Sequence, residues 1–146
     1  MKWQLALGSA VVLSFCTSAY VFGDAPASPD FSGTWQSESD GAVKWVLKQD
    51  DGKIHIQELR GSGVEADYSC PLGGTECNIE DSGHSEKTCL YFNGPKLVEL
   101  RTRGEDVVKR RFTLSDGGKT MELELLPISP PGKTEKLAFQ KVDTAH

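Results

Sequence analysis

The chain of 146 residues carries 16 basic and 21 acidic side chains, a formal net charge of −5, and 38% of its residues are hydrophobic. An acidic balance of this kind argues against nonspecific binding to phosphate backbones or anionic lipid surfaces, so nucleic acid is not an expected partner. The length allows one domain with one core and leaves no room for a second.

The first residues read as a secretory leader. Lys2 gives a positive start, and Leu5 to Val12 with Leu13 and Phe15 give a short apolar stretch. This run is short for a bilayer, which needs roughly 20 residues, and small residues permit cleavage after Ala19, Gly23 or Ala27. The cut after Gly23 is the expected one, with no stable membrane insertion once residues 1–23 are gone. Cys16 follows the bulky Phe15, where a lipoprotein signal wants a small residue, and is expected to leave with the leader. Removing the first 23 of 146 residues leaves 123, and loss of Lys2 takes the net charge to about −6. The expected product is exported, to the periplasm or out of the cell. Residues 24–30, "DAPASPD", read as a flexible arm, and residues 31–143 as the folded domain.

From Phe31 onward the recurring pattern is alternation every two residues, the period of a strand with one dry face. In chain order the inward sets are Val43, Trp45, Leu47; Ile54, Ile56; Val64, Ala66, Tyr68; Val98, Leu100; Val108, Phe112, Leu114; Met121, Leu123, Leu125; and Leu137, Phe139. Turn signals separate most of them: "QDDGK" at 49–53, "RGSG" at 60–63, "NGPK" at 93–96, "RGED" at 103–106, "SDGGK" at 115–119 and "SPPGK" at 129–133. Short strands joined by hairpin turns predict an all-β fold, an antiparallel up-and-down meander of about eight or nine strands closed into a barrel.

One stretch escapes the alternation. "CPLGGTECNIEDSGHSEKTC", Cys70 to Cys89, shows neither period and reads as a long connection between the Tyr68 strand and the strand carrying Cys89 and Tyr91. In an oxidising compartment its three cysteines favour a staple. A Cys70–Cys89 bridge at the loop's base is the expected pairing, leaving Cys77 free at the tip, with Cys77–Cys89 and Cys70–Cys77 as the alternatives. Cys70, Cys77, His84 and Cys89 also make a set that zinc would accept, but no pair has the tight spacing of a zinc knuckle. No metal site and no cofactor is therefore expected.

Two motifs carry a resemblance. Gly33-Thr34-Trp35 within "DFSGTW" resembles the Gly-x-Trp signature of the lipocalin and calycin superfamily, and "TLSDGGKTM" is similar to a late hairpin of small exported bacterial lipocalin-like domains. The likeness covers Phe31 to about Val142. It implies an antiparallel barrel around a cavity for a small apolar ligand. Physically, Gly33 permits a sharp bend and Trp35 plugs one barrel end, its indole N–H seeking a carbonyl. The chain is shorter than a typical lipocalin and has no evident terminal helix, and a small barrel is sometimes filled by its own side chains.

Arg110 is the candidate site residue that stands out. If Val108, Phe112 and Leu114 point inward, so does Arg110, and a guanidinium in an apolar layer needs acceptors. Either it packs across Trp35 and is satisfied by backbone carbonyls, or, as the resemblance suggests, it holds the carboxylate of a fatty-acid-like ligand. Trp45, Tyr68 and Tyr91 either line that cavity or form core. Catalytic motifs are lacking: Gly61-Ser62-Gly63 is no nucleophile elbow, and no histidine has a recognisable partner. Arg101, Arg103, Lys109, Arg110 and Arg111 crowd one hairpin, a local basic patch on an acidic chain. The expected function is binding of a small hydrophobic or acidic amphiphilic molecule, without enzymatic activity; the alternative is an envelope structural or interaction protein with a filled barrel.

Overall fold

The computed structural model describes residues 28–143; the expected leader and its cleavage positions lie outside the described residues. Ten strands form one closed antiparallel barrel. They are β1 (Gly33–Ser37), β2 (Val43–Asp50), β3 (Lys53–Arg60), β4 (Gly63–Pro71), β5 (Cys77–Asp81), β6 (His84–Asn93), β7 (Lys96–Arg103), β8 (Asp106–Ser115), β9 (Thr120–Ser129) and β10 (Glu135–Val142). Each strand pairs with its neighbours in sequence, and β1 closes the barrel on β10 with Thr34 opposite Val142. Closure leaves no free sheet edge. A single turn of 3₁₀ helix, Asp116–Gly118, joins β8 to β9.

The strand count is higher than the sequence suggests because the cysteine stretch is not a loop. It contains β5 and the start of β6, joined by a tight turn in which Ser82 and Gly83 both have positive φ, 50° and 81°. Those are the angles a two-residue hairpin turn requires. The pairing with β4 is thin, a single register position between Ala66 and Asp81. The disulfide clamps the far end of that seam: it joins Cys70 on β4 to Cys77 at the start of β5, rather than Cys70 to Cys89. Among the described residues Cys89 is the free thiol, and it alternates with the buried Thr88 and Leu90, which puts it on the outer face of β6.

The two barrel ends differ. At the end bearing the β2–β3, β4–β5, β6–β7 and β8–β9 connections, Phe31 and Ser32, just ahead of β1, are tied to the end of β2. Phe31 is fully buried, its N–H donates to Gln49 Oε1 (3.1 Å), and Ser32 Oγ accepts from the Gln49 N–H (2.9 Å). Trp35 is also fully buried, and its indole donates to the Phe31 carbonyl (3.0 Å), the bond the motif anticipates. Gly33 has φ of 147°, and a Cβ there would lie 2.6 Å from Lys141 Cε, whose ammonium sits over the Trp35 ring. The aliphatic and aromatic interior continues through Leu47, Ile54, Ile56, Leu90, Leu97 and Phe112. Phe112 is in edge contact with Phe31 (6.5 Å) and close to Trp45 (5.6 Å), which in turn meets Phe139 (5.7 Å).

Most inward sets follow the expected parity, including Trp45 and Leu47, Met121 and Leu123, and Phe139. Two depart from it. A bulge at Glu58/Leu59 leaves Glu65 unpaired and sets Val64 opposite the outward Leu59, so Val64 is exposed rather than core. In β7 the whole face is reversed: Leu97, Glu99 and Arg101 point inward, while Val98 and Leu100 take the outer side. Val98 is buried even so, in the company of Tyr91 and Arg111, its cross-strand partners.

Candidate functional site

The reversal of β7 places charge inside the barrel, toward the second end. Two residues apart on one strand, Glu99 and Arg101 share the inner face. The β7–β8 turn then sets Glu99 directly opposite Arg110 and Arg101 opposite Val108. From the far wall β3 contributes Glu58, lodged beside the bulge, and β4 contributes Tyr68. Asp81 comes from the end of β5, and Glu86 and Thr88 from β6. Six strands thus deliver one polar cluster.

Its bonds are dense. Glu99, with no exposed surface, accepts at Oε1 from the Tyr68 hydroxyl (2.7 Å), the Thr88 hydroxyl (3.0 Å) and Arg101 Nε (2.9 Å), and at Oε2 from Arg110 Nη1 (3.4 Å). Glu58 Oε1 accepts from both arginines, Arg101 Nη2 (2.8 Å) and Arg110 Nη1 (2.6 Å). Arg101 Nη1 reaches outward to Asp81 (2.7 Å) and Glu86 (3.5 Å). Every nitrogen of Arg101 is therefore engaged, and its guanidinium also lies 5.1 Å from the Tyr68 ring centre. Charges buried this deeply persist only when paired and hydrogen-bonded.

Titration follows from the pairing. Burial opposes ionisation of Glu99, but Arg110 and Arg101 outweigh it and hold the carboxyl below the usual carboxylate range. Burial, then the Glu99 charge, pushes the Tyr68 hydroxyl well above the ordinary phenol value, so it stays a donor. Burial works against the charge on Arg101 and Arg110, and the surrounding acidic groups, Glu99 foremost with Glu58 and Tyr68, together more than restore it in each. Two guanidinium groups thus face four carboxyl groups, those of Glu58, Asp81, Glu86 and Glu99.

Above the cluster the barrel opens into two adjoining hollows of about 310 and 330 Å³ that share Arg110 and Leu125 as lining. The first has an apolar wall of Trp45, Leu123, Leu125, Leu137 and Phe139. Its polar side is formed by Asp40, Glu58, Arg60, Glu65 and Arg110. Arg60 there bridges Asp40 (3.1 Å) and Glu65 (2.9 Å).

The expected site residues are distributed unevenly over this geometry. Arg110 points inward as anticipated, but it stacks on Trp45 (5.1 Å) rather than Trp35, and its acceptors are two carboxylates rather than backbone carbonyls. Trp45 stands at the hollow's wall, and Tyr68 lies below it in the cluster. Tyr91 is not with them: its neighbour Phe92 packs on the core, so Tyr91 occupies the outer face of β6. The hairpin arginines do not form one basic patch, since Arg101 and Arg110 turn inward. Cys70, Cys77, His84 and Cys89 are not gathered either, the bridge having taken two of the thiols. His55 lies between Ile54 and Ile56, faces out, and pairs with Asp67 across the strands.

Glu58, Glu99 and Arg101 are the residues that sequence reasoning misses. The signal was present in the "RGED" turn. A two-residue connection pairs Arg103 with Asp106 and hence Glu99 with Arg110, so an inward Arg110 demands an inward Glu99.

No family model matches the sequence, and neither does any curated protein. Solved structures do share the fold. The chain is similar to a protein described as the REP1-NXSQ fatty acid transporter, with a TM-score of 0.66 at 16% identity over 80% of this chain and 98% of that one. Secretory abundant heat soluble protein 4 from Ramazzottius varieornatus follows at 0.64 and 14%, covering 82% and 100%. Fatty-acid-binding protein 1 from Echinococcus granulosus gives 0.64 and 12%, covering 77% and 98%. At such identities the likeness establishes the architecture alone, an antiparallel lipocalin-like barrel that these proteins share.

Proposed function

We propose that the chain is an exported, non-enzymatic binding protein that takes a small hydrophobic or amphiphilic molecule into the open end of its barrel. The observation that carries this reading is the hollow of about 310 Å³ in which an apolar wall, Trp45 to Phe139, faces a ring of charged groups over the buried cluster. Binding sites for small molecules have this make-up, apolar lining with a few convergent polar groups. Two of the structural neighbours are named for fatty acid transport and binding, which agrees with the reading. The volume is near the lower end of such sites, roughly 300–1,000 Å³, and Phe31, Trp35 and Phe112 fill the barrel beneath. The ligand is accordingly short or only partly enclosed. Export agrees with the Cys70–Cys77 bridge, since disulfides persist in oxidising compartments.

A second reading is favoured by the same filled interior: an envelope interaction protein that holds no ligand and works through its loops. Native mass spectrometry on protein purified from its own host distinguishes the two. A noncovalent adduct that disappears in a Leu125→Trp variant, whose larger side chain occupies the hollow, supports ligand binding. Bare protein in the host preparation, with no uptake of added medium-chain amphiphiles, supports the filled barrel.

A further inference from the structure

We infer that the open-end hollow selects an amphiphile with a cationic head and discriminates against free carboxylic acids. This rests on the ligand-binding reading above and names the chemistry of the head group. The argument begins with what has already occupied the arginines. A carboxylate ligand needs a guanidinium fork with nothing in front of it. Arg101 has no donor nitrogen to spare, and Glu58 and Glu99 sit where an acid head would bridge it to Arg110. The chain has supplied its own anions to its own anion seat.

The balance of charge around the hollows points the same way. Six carboxylates, Asp40, Glu58, Glu65, Asp81, Glu86 and Asp106, line the pair, against the four arginines Arg60, Arg101, Arg103 and Arg110. Glu99, just beneath, adds a seventh negative charge. Arg110 does keep Nε and Nη2 without a hydrogen bond among the described residues. An acid bound to that edge would lie beside Glu58 within a net negative ring, and like charges at such range repel. An ammonium finds the reverse. Glu58 has committed only Oε1, and Glu65 and Asp40 divide a single half-exposed arginine.

Displacement of a neutral dye, Nile red, from the full exported protein by decylamine, decanol and decanoate tests this at one chain length and neutral pH. The inference expects decylamine to displace at about tenfold lower concentration than decanoate, with decanol between them. Raising the salt should compress the spread. Because the whole chain is acidic, an amine could also be drawn to its surface generally, so an Asp40→Asn, Glu65→Gln variant is measured alongside. Both side chains are half-exposed at the rim, and their loss should cut the amine preference at least about threefold while decanoate improves. A preference that survives these substitutions unchanged, a flat order, or decanoate in first place overturns the inference and leaves ligand binding intact. If Nile red does not bind and Leu125→Trp changes nothing, the binding reading falls and this one with it.

Discussion

Replacing Arg101 by methionine keeps much of the stem and removes the charge at the centre of the buried cluster. Glu99 then retains one cation of two, Glu58 loses one of two, and Asp81 and Glu86 lose their bond to the guanidinium. Breaking a buried ion pair from one side costs about 3–5 kcal/mol, and the low end already removes a large part of a typical stability of roughly 5–15 kcal/mol. The pH dependence makes the test specific. In the native protein Glu99 is held below its ordinary range, so its contribution is present above the unfolded value of about 4.3 and is lost as pH falls through the folded value. In the variant burial acts against a weaker cationic field and raises the folded value, so protonation relieves the strain and stability is regained as pH falls. Urea unfolding at about pH 7 and about pH 5 should show the deficit shrinking toward the acid side. A further Glu99→Gln substitution should recover part of the loss at neutral pH. A deficit under about 1 kcal/mol at neutral pH, or one that grows on acidification, would refute the reasoning.

Three other expectations are simpler. Tyr68→Phe removes the donor to Glu99 and an acceptor for Arg101, a loss of about 1–3 kcal/mol in urea unfolding; in the native protein this phenol should ionise only when the barrel opens, seen by ultraviolet titration. Trp35→Ala should cost about 3–5 kcal/mol by emptying the closed end and orphaning the Phe31 carbonyl; a smaller loss would show that the closed end does not depend on that plug. Thiol titration of the exported form should find one reactive cysteine, Cys89, and peptide mapping should join Cys70 to Cys77. Reducing that short loop should lower stability by about 2.5 kcal/mol in the chain-entropy picture, and a mapped Cys70–Cys89 bridge would contradict the seam described above.

The barrel was legible where each strand wets only one face. In β9 Glu122 and Glu124 alternate with Met121 and Leu123, and the structure keeps that order. Legibility fails in β7, where "LVEL" offers apolar side chains to both faces and an apolar-inside rule selects the wrong one. The right choice is stabilised by Glu58 and Tyr68, 43 and 33 residues away from Arg101 along the chain, and no local pattern contains them. Yet the assignment of Arg110 inward was incompatible with Val98 inward once the turn length fixed the register. The register itself sets the acidic Glu99 opposite Arg110. The cysteine stretch hid its strand because β5 has only Ile79 as a buried aliphatic, too little for periodicity to register, and the Ser82-Gly83 turn was the remaining sign.

Entry of the ligand at the open end is read directly from isotope-filtered nuclear Overhauser measurements on labelled protein with unlabelled decanol. Binding there gives contacts from the alkyl chain to Leu125, Leu137 and Phe139 at the hollow. Contacts confined to the outer face, around Tyr91 and Val98, or none at all at saturating decanol, would contradict it.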